Sequence, residues 1–88
     1  MYDVSAIRTE FPILSREVNG KPLVYLDNGA SAQKPRCVID AVTEAYSHEY
    51  ANVHRGLHYL SNLATEKYEA VRGIVARFLG APSEDEIV

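Results

Sequence analysis

The sequence predicts a mainly α-helical segment with one short β-hairpin and one strand–loop–helix stretch of the α/β kind. Three observations carry this. Apolar residues recur at helical spacing over two long stretches, from Pro35 to about Tyr50 and from about Ser61 to Leu79. Asn19-Gly20, between Glu17-Val18 and Leu23-Val24-Tyr25, is the dipeptide of a type I′ hairpin turn. Leu23 to Pro35 reads as an apolar strand, a loop of small residues and a helix start, the order that places ligands at strand ends in open α/β folds.

Taken in order, residues 1–34 should hold a terminal helix, the hairpin and a pocket loop. Asp3 can cap a short helix with Val4, Ile7 and Phe11 on one face, and Pro12 should stop it. Lys21-Pro22 should keep the hairpin short and near an edge, since proline cannot donate to a ladder. Leu23 to Leu26 suits a buried strand. The loop from Asn28 to Gln33 lets another group approach, and its N–H groups could meet an anion.

Residues 35–82 should hold the two long helices. The first carries Val38, Val42, Ala45 and Glu49 in one stripe, with a weak cap because Lys34 precedes Pro35. Asn52 to His58 breaks the period and contains Gly56, so an irregular crossing is expected. The second helix should be capped by Ser61 or Asn62, bury Leu60, Ala64, Tyr68, Val71, Val75 and Phe78, and turn Glu66, Lys67, Glu69 and Arg72 to water. Gly80 and Pro82 should end it. Residues 83–88 form an acidic turn followed by Ile87-Val88, the opening of a strand, so the chain reads as a piece of something longer.

Composition narrows the function classes. The chain has 88 residues, 47% of them hydrophobic, and a formal charge of −3. No Lys/Arg cluster is present to neutralise phosphates, which argues against nucleic acid as the partner. The start has no basic region followed by an apolar run, and no stretch is long enough to cross a bilayer. The single cysteine, Cys37, excludes an internal disulfide and fits a reducing, cytoplasmic compartment. Its place early in a helix beside Arg36 would suit a nucleophile, although a partly buried packing residue is the plainer reading.

His54, Arg55 and His58 are the densest functional cluster. Histidine can move protons near neutral pH, and arginine can clamp a carboxylate. His54 and His58 have helical metal-pair spacing, but Gly56 lies between them and no glutamate completes a zinc motif, so no metal is expected. The plainer reading is a loop whose histidines bond backbone and whose Arg55 pairs with a local acid such as Glu49.

Six short motifs then occur in register: Glu10-Phe11-Pro12, Val18-Asn19-Gly20, Tyr25-Leu26-Asp27-Asn28, Ala32-Gln33-Lys34-Pro35, Asn52-Val53-His54-Arg55-Gly56 and Ala64-Thr65-Glu66. Together they resemble the amino-terminal part of the Suf-type cysteine desulfurases, in the class V aminotransferase family. The resemblance implies the fold-type-I fold of pyridoxal-phosphate (PLP) enzymes, with a large α/β domain, a small domain and a homodimer. It implies conversion of L-cysteine to L-alanine and passage of a persulfide sulfur to a Suf-type acceptor protein for iron–sulfur cluster assembly. The family's PLP lysine, catalytic cysteine, stacking histidine and carboxylate-binding arginine lie further along than this chain reaches. Lys21, Lys34, Lys67 and Cys37 do not match them, so no catalytic or cofactor-binding residue is expected here and no PLP should bind this segment alone. What carries over is substrate contact: Asn28, Gly29 and Ala30 match the small-residue pocket wall, and His54 and Arg55 match the family's His-Arg-Gly. Gly29-Ala30 departs from the usual Ala-Ala, which would loosen that wall. A selenocysteine lyase or another class V aminotransferase shares these motifs, and a non-enzymatic helical interaction module is the alternative from a different class.

Overall fold

The computed structural model describes residues 1–54 and 56–88, which fall into two compact units, Met1–Glu44 and Ala45–Val88. The chain is mainly helical with a two-stranded antiparallel sheet, as expected.

In the first unit, helix α1 spans Val4–Thr9. Asp3 caps it as expected, its Oδ1 accepting the Ala6 N–H at 3.1 Å. Phe11 falls outside the helix and begins a 3₁₀ turn over Pro12–Ser15. Strands β1 (Glu17–Val18) and β2 (Lys21–Pro22) pair with Val18 opposite Lys21 and Glu17 opposite Pro22. Asn19 and Gly20 have φ of 54° and 74°, the left-handed pair that a type I′ turn requires. The second strand is thus Lys21-Pro22 rather than the expected Leu23-Val24-Tyr25. Proline is admitted because this is an edge.

The expected buried strand over Leu23 to Leu26 does not form. Exposure still alternates along it, with Leu23 and Tyr25 half-buried and Val24 and Leu26 exposed. A strand needs a neighbouring ladder, and among the described residues the hairpin offers only the Leu23 N–H to Arg16 carbonyl bond, 3.0 Å. Helix α2 spans Arg36–Glu44. Pro35 sits just ahead of it and its carbonyl accepts the Val38 and Ile39 N–H groups. The weak cap is offset by a tertiary bond, the Arg36 N–H donating to the Glu10 carbonyl at 2.7 Å. Cys37 is exposed, not partly buried.

The second unit opens with a π-helical turn, Ala45–Glu49, where regular α-helix was expected to about Tyr50. After an irregular stretch, helix α3 runs over Tyr59–Leu79. Its cap is neither Ser61 nor Asn62. His58 takes that place, and its Nδ1 accepts the Ser61 N–H at 3.3 Å. The far end is as expected: Gly80 adopts φ 73°, and the Ala81 N–H reaches back to the Ala76 carbonyl at 2.8 Å. Ser83 caps a 3₁₀ turn over Glu84–Glu86, its Oγ accepting the Asp85 N–H at 3.1 Å.

The packed face of α3 differs from the expected one. Among the described residues only Ser61 and Ala76 are buried, whereas Tyr68, Val71 and Phe78 are exposed, Phe78 at 88%. Ser61, Thr65, Glu69, Arg72 and Ala76 follow one another at helical spacing and are all buried or half-buried. The helix therefore turns a stripe of small, hydroxyl and charged residues inward within its unit.

Candidate functional site

The inward stripe of α3 fastens Asn52, His54 and Gly56 at successive turns. Ser61, 1% exposed, donates its hydroxyl to the Asn52 carbonyl at 2.7 Å and accepts the Gly56 N–H at 3.0 Å. One turn on, Thr65 Oγ1 accepts the His54 N–H at 2.8 Å while donating to the Ser61 carbonyl at 2.9 Å. A further turn on, Glu69 Oε1 lies 2.5 Å from His54 Nε2. Residues four apart stack along one helix face, which is why a single stripe can hold both the backbone and the ring of His54.

His54 pays for its place with strain. Its φ is 62°, left-handed, a region that histidine enters more often than most residues but at a cost of about 1–2 kcal/mol. The Thr65 and Glu69 bonds and an edge-on contact with Tyr68 (centroids 5.7 Å apart, planes at 86°) hold it there. The Glu69 carboxylate also bonds Arg72. That guanidinium first, and His54 second, hold the Glu69 carboxyl below the usual glutamate value. An ionised carboxylate only accepts, so His54 Nε2 carries the proton. His54, Tyr68, Glu69 and Arg72, with Val71 and Ile87, line a pocket of about 500 Å³. Arg72 Nε, on a residue of this wall, is buried and has no hydrogen-bond partner among the described residues.

Arg55 lies outside the described residues. The acid it was expected to meet on the plainer reading, Glu49, is ion-paired with Lys67. His58 is occupied in capping α3, turned to a different task from His54.

Asn28, Gly29 and Ala30 belong to the first unit, where they form a turn. The Asp27 carbonyl accepts the Ala30 and Ser31 N–H groups, at 3.1 and 3.0 Å, and Asn28 Oδ1 accepts the Gln33 N–H at 3.0 Å. Tyr25 donates its hydroxyl to the Ser31 carbonyl at 2.7 Å, which ties the loop to the segment before it. Three N–H groups of the expected cradle, those of Ala30, Ser31 and Gln33, are therefore used internally. Asn28 also lines a cleft of about 150 Å³ with Arg8, Phe11 and Gln33. Gly29 has ordinary φ and nothing within 4 Å of where a Cβ would stand. An alanine would fit there without change, so neither conformation nor space demands the glycine.

Thr65, Glu69 and Ser61 have partner roles that the sequence reading missed. The signal was present as hydroxyl, hydroxyl and carboxylate at positions four apart, directly after a polar break that must find its hydrogen bonds somewhere.

Comparison with known proteins agrees with these elements. Residues 24–88 match the model of the aminotransferase class-V family, and the chain belongs to that family. It is 59% identical over 87 residues to a cysteine desulfurase of Escherichia coli O7:K1, covering 99% of this chain and 21% of that protein. It is 58% identical over 87 residues to a cysteine desulfurase of Pectobacterium atrosepticum, again over 99% of this chain and 21% of the relative. Among solved structures, the apo cysteine desulfurase from Thermococcus onnurineus NA1 superposes with a TM-score of 0.80 at 41% identity, over 100% of this chain and 20% of that one. The likeness is to a fold-type-I enzyme, as the motifs implied. The chain spans about a fifth of the length of these relatives. Among the described residues, no helix is long and apolar enough to cross a membrane.

Proposed function

We propose that this chain is the amino-terminal part of a PLP-dependent cysteine desulfurase of the Suf type, which acts as a cytoplasmic homodimer. The complete enzyme converts L-cysteine to L-alanine and passes the sulfur as a persulfide to an acceptor protein. The chain's share of that work is to shape the substrate side of the pocket. The observation that carries the reading is His54, a strained, half-exposed imidazole held by three residues of α3 on a pocket wall. Packing alone would not maintain a left-handed histidine at the surface.

The residues present do not fit PLP itself. A Schiff base needs a neutral amine, whereas the Lys67 ammonium is ion-paired with Glu49, Lys34 Nζ donates to the Ala32 carbonyl at 2.6 Å, and Lys21 lies in an exposed strand. The cofactor's anchor therefore belongs to parts of the enzyme outside this chain.

What these residues supply is recognition and proton handling. Arg55 offers a fixed fork of donors for the substrate carboxylate. His54 can donate a hydrogen bond or hold a proton near the sulfur. Asn28, Gly29 and Ala30 supply a small-residue loop that leaves room for substrate, with the Asn28 side-chain amide as a donor.

The test is kinetic. In the complete enzyme, Arg55→Ala and His54→Asn should lower cysteine turnover or persulfide transfer by about tenfold or more, roughly 1.4 kcal/mol. Asparagine removes the imidazole while tolerating the left-handed backbone. PLP should remain bound and the melting temperature should barely move. Normal turnover in both variants, or activity lost only in step with stability, would make the segment structural.

A further inference from the structure

We propose that Glu69, backed by Arg72, is the positioning residue for His54, setting which ring nitrogen carries the proton and leaving Nδ1 as the atom available to substrate. This rests on the reading of His54 as a substrate-facing group, and it adds a residue for which that reading had no role.

The geometry leaves little choice. Glu69 Oε1 stands 2.5 Å from His54 Nε2, and its other oxygen bonds the Arg72 guanidinium, so the carboxylate is fixed from both sides. Arg72 is the leading cause of the lowered Glu69 pKa, so the group facing the ring is an anion with no proton to give. Nε2 must donate. The Thr65 bond fixes the backbone that carries the ring, and the T-shaped contact with Tyr68 flanks the ring beside Glu69. Among the described residues no hydrogen bond to Nδ1 is found, and the ring borders the pocket of about 500 Å³. A carboxylate behind an imidazole holds tautomer and orientation together, which is how a histidine is kept ready to accept or return a proton at its other nitrogen. A surface glutamate that merely supported an i,i+3 pair with Arg72 would leave the ring free to populate both tautomers.

The experiment uses the complete, PLP-loaded enzyme with ¹⁵N-labelled histidine, at a pH above the ordinary histidine range. Ring ¹⁵N shifts of His54 should report a protonated Nε2 and a bare Nδ1. In Glu69→Ala both tautomers should appear, and cysteine turnover should fall about tenfold. Glu69→Gln, which keeps the volume, should show the same mixing if the charge is what counts; Glu66→Gln, on the exposed side, should change neither readout. In a His54→Asn background, adding Glu69→Ala should cost less than twofold further, because both changes remove one unit. A wild-type ring that carries its proton on Nδ1 or on both nitrogens overturns the proposal. So does an unchanged tautomer in Glu69→Ala, or a full multiplicative loss in the double variant. If the tautomer responds to Glu69 while His54→Asn turns over cysteine normally, Glu69 still sets the ring and it is the substrate-facing role of His54 that falls.

Discussion

At Glu69 one carboxylate meets an imidazole and a guanidinium, and the pH dependence of the contact follows from the direction of its shift. Arg72 and then His54 stabilise the ionised form, which places the folded-state pKa below the ordinary value of 4.5. The unfolded chain therefore binds a proton at this position more readily than the folded one. The stabilisation is complete above the ordinary glutamate range and declines as the pH falls below it through the lowered value. Carbon-13 titration of the Glu69 carboxyl in the complete enzyme should thus show a midpoint below 4.5. A midpoint at or above the ordinary value would contradict the contact. At this scale the sequence was half legible. His54 stood out by its neighbours Arg55 and Gly56, and its backbone is left-handed. Glu69 did not, because a lone acid on a helix reads as a wetted face, and nothing local says that a histidine fifteen positions earlier folds back to it.

Among the elements, the punctuation was readable and the packing was not. Asp3 as a cap, Asn19-Gly20 as a turn and Gly80 as a helix stop each depend on one residue's own chemistry, so each could be read without knowing what lies nearby. The inward face of α3 depends on what it meets. The apolar stripe through Tyr68 and Phe78 anticipates a core that no described part of this chain supplies, whereas the Ser61 stripe meets backbone that must be hydrogen-bonded. The π-helical turn at Ala45–Glu49 likewise carries no propensity signal. Gly56 tests the backbone approach. A Cβ there would lie 2.6 Å from Ser61 Cβ, 2.7 Å from its Oγ and 2.8 Å from His58 Nε2. Ser61 is buried on the helix and cannot retreat, and His58 is engaged at the cap. Gly56→Ala should therefore destabilise the complete enzyme by about 1–3 kcal/mol and impair turnover. Gly29→Ala, with open space around it, should stay within about 0.5 kcal/mol. Denaturant melts of the two variants decide it, and equal stability would show that Gly56 is not held against Ser61 as tightly as its bond implies.

Over the whole chain, much of what the sequence marks as core faces outward. Val38 and Val42 on α2 are 41% and 51% exposed, and Val71 and Ile74 on α3 are 52% and 55% exposed. The chain corresponds to about a fifth of the length of its relatives, and no described part of it covers these apolar faces. The consequence for the 88-residue chain by itself can be put in numbers. An apolar patch of about 300 Å² at ~25 cal/mol per Å² favours burial by ~7.5 kcal/mol. Association of two copies costs ~4–15 kcal/mol in lost freedom and ordering, so the gain is of the same size as the penalty. Self-association should then be weak and concentration-dependent, with a broad melt, because few side chains are buried enough to lend cooperativity. Sedimentation from micromolar to near-millimolar concentration should show mass rising with concentration, and a hydrophobic dye should brighten most at the dilute end. Charged substitutions at Val71 and Phe78 should shift the mass toward monomer while leaving helix content unchanged, since both side chains already face water. A monomer at every concentration, with a sharp melt and no dye binding, would mean that these faces are satisfied within the chain itself.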